Sequence, residues 1–134
     1  MLMLSCESTT LRILVVDDHE LTRLTLQLAF STQKNFHVVG LACNGQEAIE
    51  MLQTFQPDVI ILDLQMPIMD GWSASSHIKA ISPQTQILAY SSVEDVNFWA
   101  TKATTNFDDV CQKDVSTNEL IALVNQLGER ARNN

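Results

Sequence analysis

Short apolar runs alternate along the chain with longer stretches of mixed polarity. The runs at 12–16, 36–42, 59–62, 86–90 and 110–112 have strand length, and the third, Val59, Ile60, Ile61 and Leu62, is apolar without a break. Such runs predict strands covered on both faces, as in a parallel sheet. The intervening stretches carry apolar residues at helical spacing. Leu21, Leu24 and Leu28, with Ala29 beside them, predict the packing stripe of a helix over 20–32. Asn44 and Glu47 form a helix start ahead of Ala48, Ile49 and Leu52. A third helix fits 72–81, closed by Ser82 and Pro83, and a fourth fits 94–105 on Val96, Trp99, Ala100 and Ala103. The capping box Ser116-Thr117-Asn118-Glu119 opens a last helix with Leu120, Ile121, Leu123, Val124 and Leu127. Five strands alternating with five helices predict an α/β fold: a doubly wound parallel sheet in a three-layer sandwich. Residues 1–10 read as a flexible arm, 11–128 as the domain and 129–134 as a frayed tail.

The polar residues that stop the strands are unusual in kind. Asp17 and Asp18 follow the first, Asp63 the third, Ser91 the fourth and Lys113 the fifth. In an open parallel sheet these carboxyl ends share one edge, where ligands bind. Like charges about 4 Å apart repel by roughly 4 kcal/mol at an effective dielectric of 20, so clustered carboxylates call for a cation. Oxygen ligands with positions left to water and phosphate suit Mg²⁺. An aspartate can act as nucleophile toward a phosphoryl group, with Asp63 the best placed. Mg²⁺, the Lys113 ammonium and the Ser91 hydroxyl would neutralise the equatorial oxygens.

Composition narrows the field. A formal charge of −8 argues against direct nucleic-acid binding, and 134 residues at 46% hydrophobic content build one core without staples. Cys6, Cys43 and Cys111 lack the spacing of a disulfide framework or zinc site and read as free thiols in a cytoplasmic protein. The opening Met-Leu-Met-Leu is too short for a signal sequence or membrane span. His19, His37 and His77 stand singly and read as surface or core residues rather than ligands.

Val15-Val16-Asp17-Asp18, Asp63 followed by Met66-Pro67-Ile68-Met69-Asp70-Gly71, Ser91, and Lys113-Asp114 together resemble the receiver domains of bacterial two-component response regulators. The resemblance covers roughly residues 11–128. It implies a flavodoxin-like (βα)5 fold in which Asp63 accepts phosphate from a sensor histidine kinase or phosphotransfer protein. Asp18, Asp63 and the backbone carbonyl of Gln65 would hold Mg²⁺, with Asp17 assisting. Ser91 and Lys113 would contact the phosphoryl group. The chain would catalyse only its own phosphorylation and dephosphorylation, then switch conformation toward a partner or output domain. Asp17-Asp18-His19-Glu20 and Lys113-Asp114 look most like receivers attached to LuxR-type DNA-binding domains, so the sequence is either a stand-alone receiver or part of a longer regulator. A homodimer through the last two helices is left open.

Two departures stand out. Val110 occupies the place of the usual switch aromatic, and Phe107, Asp108 and Asp109 replace the usual small residues before it. Activation is therefore expected to rely on Ser91 and the loop 92–96. The rival readings are a phosphate-independent docking module, against which the intact acidic set speaks, and a Mg²⁺-dependent phosphatase. The latter would need a second general acid where Gln65 stands, and a cap domain.

Overall fold

The computed structural model describes residues 10–92 and 106–133. Strand β1 (Leu11–Val16) leads into α1 (Glu20–Ser31), β2 (Phe36–Ala42) into α2 (Gly45–Phe55) and β3 (Val59–Leu62) into α3 (Gly71–Ile81). Then come β4 (Gln86–Ser91), β5 (Asp109–Gln112) and α4 (Thr117–Asn133). The helix expected at 94–105 and the arm at 1–9 lie outside the described residues. The strands form one parallel sheet in the order β2-β1-β3-β4-β5. This is the doubly wound parallel sheet that the alternation of runs predicts, in the flavodoxin-like form that the resemblance implies.

Strand alternation divides the core in two. Ile13, Val15, Val59, Ile61, Leu88 and Tyr90 pack with Leu26 and Phe30 of α1 and Leu120, Val124 and Leu127 of α4. Leu14, Val16, Ile60, Leu62, Ile87 and Ala89 pack on the other face with Ala48 and Leu52 of α2 and Ala74 and Ile78 of α3. Each fully buried aliphatic side chain contributes about 1.5–3 kcal/mol, which is why β3, buried on both faces, has no polar position.

Helix α1 lies where expected but presents a different face. Leu26 and Phe30 are buried, whereas Leu21, Leu24 and Leu28 are 77%, 49% and 71% exposed. The phase is set by Arg23, whose guanidinium donates to the Asp17 carbonyl at 2.7 Å, and by Phe30, which meets Phe36 edge to face at 5.7 Å. Both turn the leucines outward. Helix α4 likewise runs to Asn133, through the stretch read as frayed. Arg132 donates to the Thr10 carbonyl and Arg130 to that of Asp108, and both charges suit a helix C-terminus.

The loop from β3 to α3 is tight. Asp70 caps α3 by accepting from the Ser73 amide at 2.8 Å. A Cβ on Gly71 would stand 2.4 Å from the Asp63 carbonyl oxygen and 2.8 Å from Leu64 Cα, so only glycine lets the helix come this close. Ile68 sits at φ 71°, and the Met69 amide donates to the Pro67 carbonyl across it at 2.7 Å, forming a strained γ-turn. Its side chain is 83% exposed and gains little from burial. Ile68→Gly should therefore raise stability by about 1 kcal/mol in urea unfolding. A loss would show that the isoleucine anchors the loop.

Candidate functional site

The strand order reverses between β1 and β3, and the crevice beyond their carboxyl ends is where such sheets bind ligands. Backbone pairing holds the two ends level. The Asp63 amide donates to the Val16 carbonyl at 2.9 Å, and the Asp17 amide to that of Ala42 at 3.0 Å. On the far side, the Lys113 amide donates to the Ser91 carbonyl at 2.7 Å, which carries the ammonium back toward the centre.

Residues distant in sequence meet there. Lys113 Nζ lies 2.9 Å from Asp17 Oδ2 and 3.4 Å from Asp63 Oδ1. One oxygen each from Asp17, Asp18 and Asp63 and one ring nitrogen of His19 lie within 4.8 Å of one another. Asp17 and Asp63 are buried. Ser91 ends β4, buried, its hydroxyl donating to the Ser92 carbonyl over a long 3.4 Å. The Gln65 amide faces Asp63 Oδ1 at 3.4 Å.

The electrostatics are unbalanced. Burial, and then the neighbouring Asp17 charge, push the Asp63 carboxyl up to about 6, against the pull of Lys113. Burial disfavours the Lys113 charge, yet its hydrogen bond to Asp17 and the charges of Asp63 and Asp17 leave its pKa above the ordinary value. One ammonium thus serves several carboxylates. Asp18 Oδ1 is buried and, among the described residues, has no hydrogen-bond partner, although the His19 ring lies 3.1 Å away. An orphaned carboxylate oxygen facing other oxygens fits a divalent cation.

Neither Asp17 nor Asp18 is the N-cap of α1. The N-cap is His19, with no side-chain cap bond, and Asp17 Oδ1 accepts from the His19 amide itself at 2.9 Å. His19 is the cluster member that the sequence reading set aside. A lone histidine carries no signal, and only the turn after β1 folds its ring over the acids.

Outside the cluster, the bulky residues before β5 have clear partners. Phe107 packs against Trp72 with ring centroids 5.1 Å apart and the planes tilted by 49°, and Asp108 accepts from the Ile87 amide and pairs with Lys79, each at 2.7 Å. Val110 is buried beside them.

The response regulator receiver domain family matches residues 13–125. The chain belongs to that family. The receiver is 41% identical over 87 residues to the response regulator protein VraR of Staphylococcus aureus; the match covers 64% of the receiver and 42% of VraR, less than half of that relative's length. Among solved structures, the response regulator domain of Thermotoga maritima CheB is 29% identical with a TM-score of 0.81, over 90% of the receiver and 97% of that chain. The signal receiver domain of the putative response regulator NarL from Mycobacterium tuberculosis is 28% identical with a TM-score of 0.82, over the same shares. The acidic cluster and its lysine ion pairs match the phosphoacceptor and metal site of receiver domains. The receiver's chemistry is its own phosphorylation and dephosphorylation in two-component signalling. No helix among the described residues is long and apolar enough to cross a membrane.

Proposed function

We propose that Asp63 is the phosphoacceptor, that Asp17, Asp18, Asp63 and the Gln65 backbone carbonyl hold Mg²⁺, and that Ser91 and Lys113 receive the phosphoryl oxygens. The observation that carries this reading is the bridge of Lys113 between Asp17 and Asp63 at the switch point of the sheet. An Asp63 carboxylate oxygen attacks phosphorus, the bond from phosphorus to the donor's imidazole nitrogen breaks, and its electron pair leaves with that nitrogen. Lys113 shifts from Asp63 to the incoming phosphoryl oxygens while keeping Asp17. Bound Mg²⁺ supplies charge neutralisation on the transferring group. Among the described residues the Ser91 hydroxyl makes only a long bond to the Ser92 carbonyl, which leaves it able to re-aim.

This chemistry is tested by intact mass after acetyl phosphate treatment with and without Mg²⁺, followed by mapping. One phosphoryl group on Asp63, gained only with Mg²⁺, is the expected result. No gain on folded protein would favour a phosphate-independent docking module.

The donor would be a histidine kinase or phosphotransfer protein in the cytoplasm. Support comes from Leu21, Leu24 and Leu28, which run outward along α1 directly after the acidic turn. Large exposed apolar side chains clustered beside a site mark a docking surface. Leu24→Glu should slow transfer from a phosphorylated histidine kinase that labels the wild type by roughly tenfold, about 1.4 kcal/mol. Labelling by acetyl phosphate should be unchanged. An equal loss with both donors would place the defect in the site rather than in docking. The described residues do not reach the loop 93–96, so the expectation of signalling through it stays part of this proposal.

A further inference from the structure

We propose that Tyr90 is a positioning residue that couples Lys113 to the turn opening α4, so that arrival of the phosphoryl group is passed to the face of the sheet covered by α1 and α4. The inference rests on the reading that Lys113 receives the phosphoryl oxygens. Tyr90 is the chain's single tyrosine and stands on β4 directly before Ser91. Strand alternation turns its ring away from Val110, which is buried with α2 and α3, and into the core shared with Leu120 and Val124 of α4.

This one side chain meets Lys113 at both ends. The Tyr90 hydroxyl donates to the Lys113 carbonyl over 3.4 Å, and Lys113 Nζ stands 5.8 Å from the centre of the Tyr90 ring. A cation within about 6 Å of a ring centroid is drawn to its face. The ring is buried, so its hydroxyl needs a partner, and the carbonyl that it takes lies where β5 gives way to α4. There the Val115 amide donates to the Gln112 carbonyl at 3.1 Å, and Ser116 accepts from the Glu119 amide at 3.2 Å to start the helix. The ammonium itself is divided between Asp17 at 2.9 Å and Asp63 at 3.4 Å. Drawing it off Asp63 onto phosphoryl oxygens changes its place over the ring. A hydrogen bond as long as that of the hydroxyl is weak and readily broken or tightened. The ring therefore senses the ammonium and the hydroxyl carries the change to the turn, on the side of the sheet opposite Val110.

Tyr90→Phe tests this, because it keeps the ring beneath the ammonium and removes only the hydroxyl. Labelling is followed by intact mass after treatment with acetyl phosphate and Mg²⁺, and the turn by hydrogen exchange over residues 113–120 before and after treatment. Making or breaking one hydrogen bond shifts a local opening equilibrium by about threefold or more, so wild-type exchange there should change by at least about that factor on phosphorylation. Tyr90→Phe should label within about twofold of the wild-type rate, its cation contact being kept, and lose the exchange change. A change retained in full by the variant would reduce Tyr90 to a core residue and overturn the inference. So would a wild-type response that leaves 113–120 untouched. Labelling slowed about tenfold or more in the variant would also overturn it, by placing the hydroxyl in the transfer itself. Failure of the folded wild type to take phosphate would overturn the reading beneath, and the inference with it.

Discussion

Asp63→Asn should abolish phosphoryl uptake and, without metal, make the domain more stable. The Asp63 carboxyl is pushed up to about 6 by burial and by Asp17. A solvated aspartate titrates near 3.9. The folded state thus holds this proton more tightly than the unfolded chain. That preference supports folding below about pH 4 and is lost as pH rises through about 6. Two units correspond to about 3 kcal/mol, so at pH 7–8 the wild type carries a burden of about 2–3 kcal/mol that the asparagine variant lacks. Urea unfolding in EDTA at several pH values should show the variant's advantage growing from near zero at pH 4 to its full size above pH 7. Mg²⁺ should narrow the gap, since a cation bound only by the native state stabilises it. Labelling retained in the variant would move the acceptor elsewhere. An unchanged stability would mean that the cluster relaxes in solution.

Lys113→Met should have the opposite effect on the fold and a similar one on chemistry. Asp17 is buried, and Lys113 Nζ is the cation at its Oδ2, 2.9 Å away. Removing one partner of a buried pair strands the other and costs about 3 kcal/mol. Loss of a donor to the charge that develops during transfer lowers the rate roughly 100-fold or more. Acetyl phosphate labelling and urea unfolding, each with and without Mg²⁺, separate the two losses. The cation should restore part of the stability, because it also neutralises Asp17, but not the rate. Labelling at the wild-type rate would remove Lys113 from the proposed mechanism.

The sheet and most of the cluster were legible because they rest on one-dimensional signals. A parallel strand buried on both faces has to be continuously apolar, and the residue that ends it stands out, as Asp63 does after Val59–Leu62. Caps are equally local: Asn44 and Ser116 accept from the amides of Glu47 and Glu119, as their spacing predicts. The face of α1 was not legible. Helical spacing groups Leu21, Leu24 and Leu28, but it does not say whether that stripe faces the sheet; Arg23 and Phe30 decide the rotation through contacts with Asp17 and Phe36. His19 was missed for a related reason. Its role depends on a turn that brings its ring onto two carboxylates, and sequence offers no periodicity for that. The extra length of α4 depends on Arg132 finding Thr10, 122 residues away in sequence.

The closeness of α3 to the main chain of Asp63 has a mechanical side. With no room for a methyl group between Gly71 and the Asp63 carbonyl, the proposed acceptor is backed by a hard stop. A doubly charged group arriving from the open edge cannot push it rearward. The load has to be shed sideways, across the sheet toward Ser91 and Lys113, where the hydroxyl bond is long and the ammonium is shared between two carboxylates. On the mechanism proposed above, Asp63 would then act as a fulcrum, and the ends of β4 and β5 would be the arm that swings.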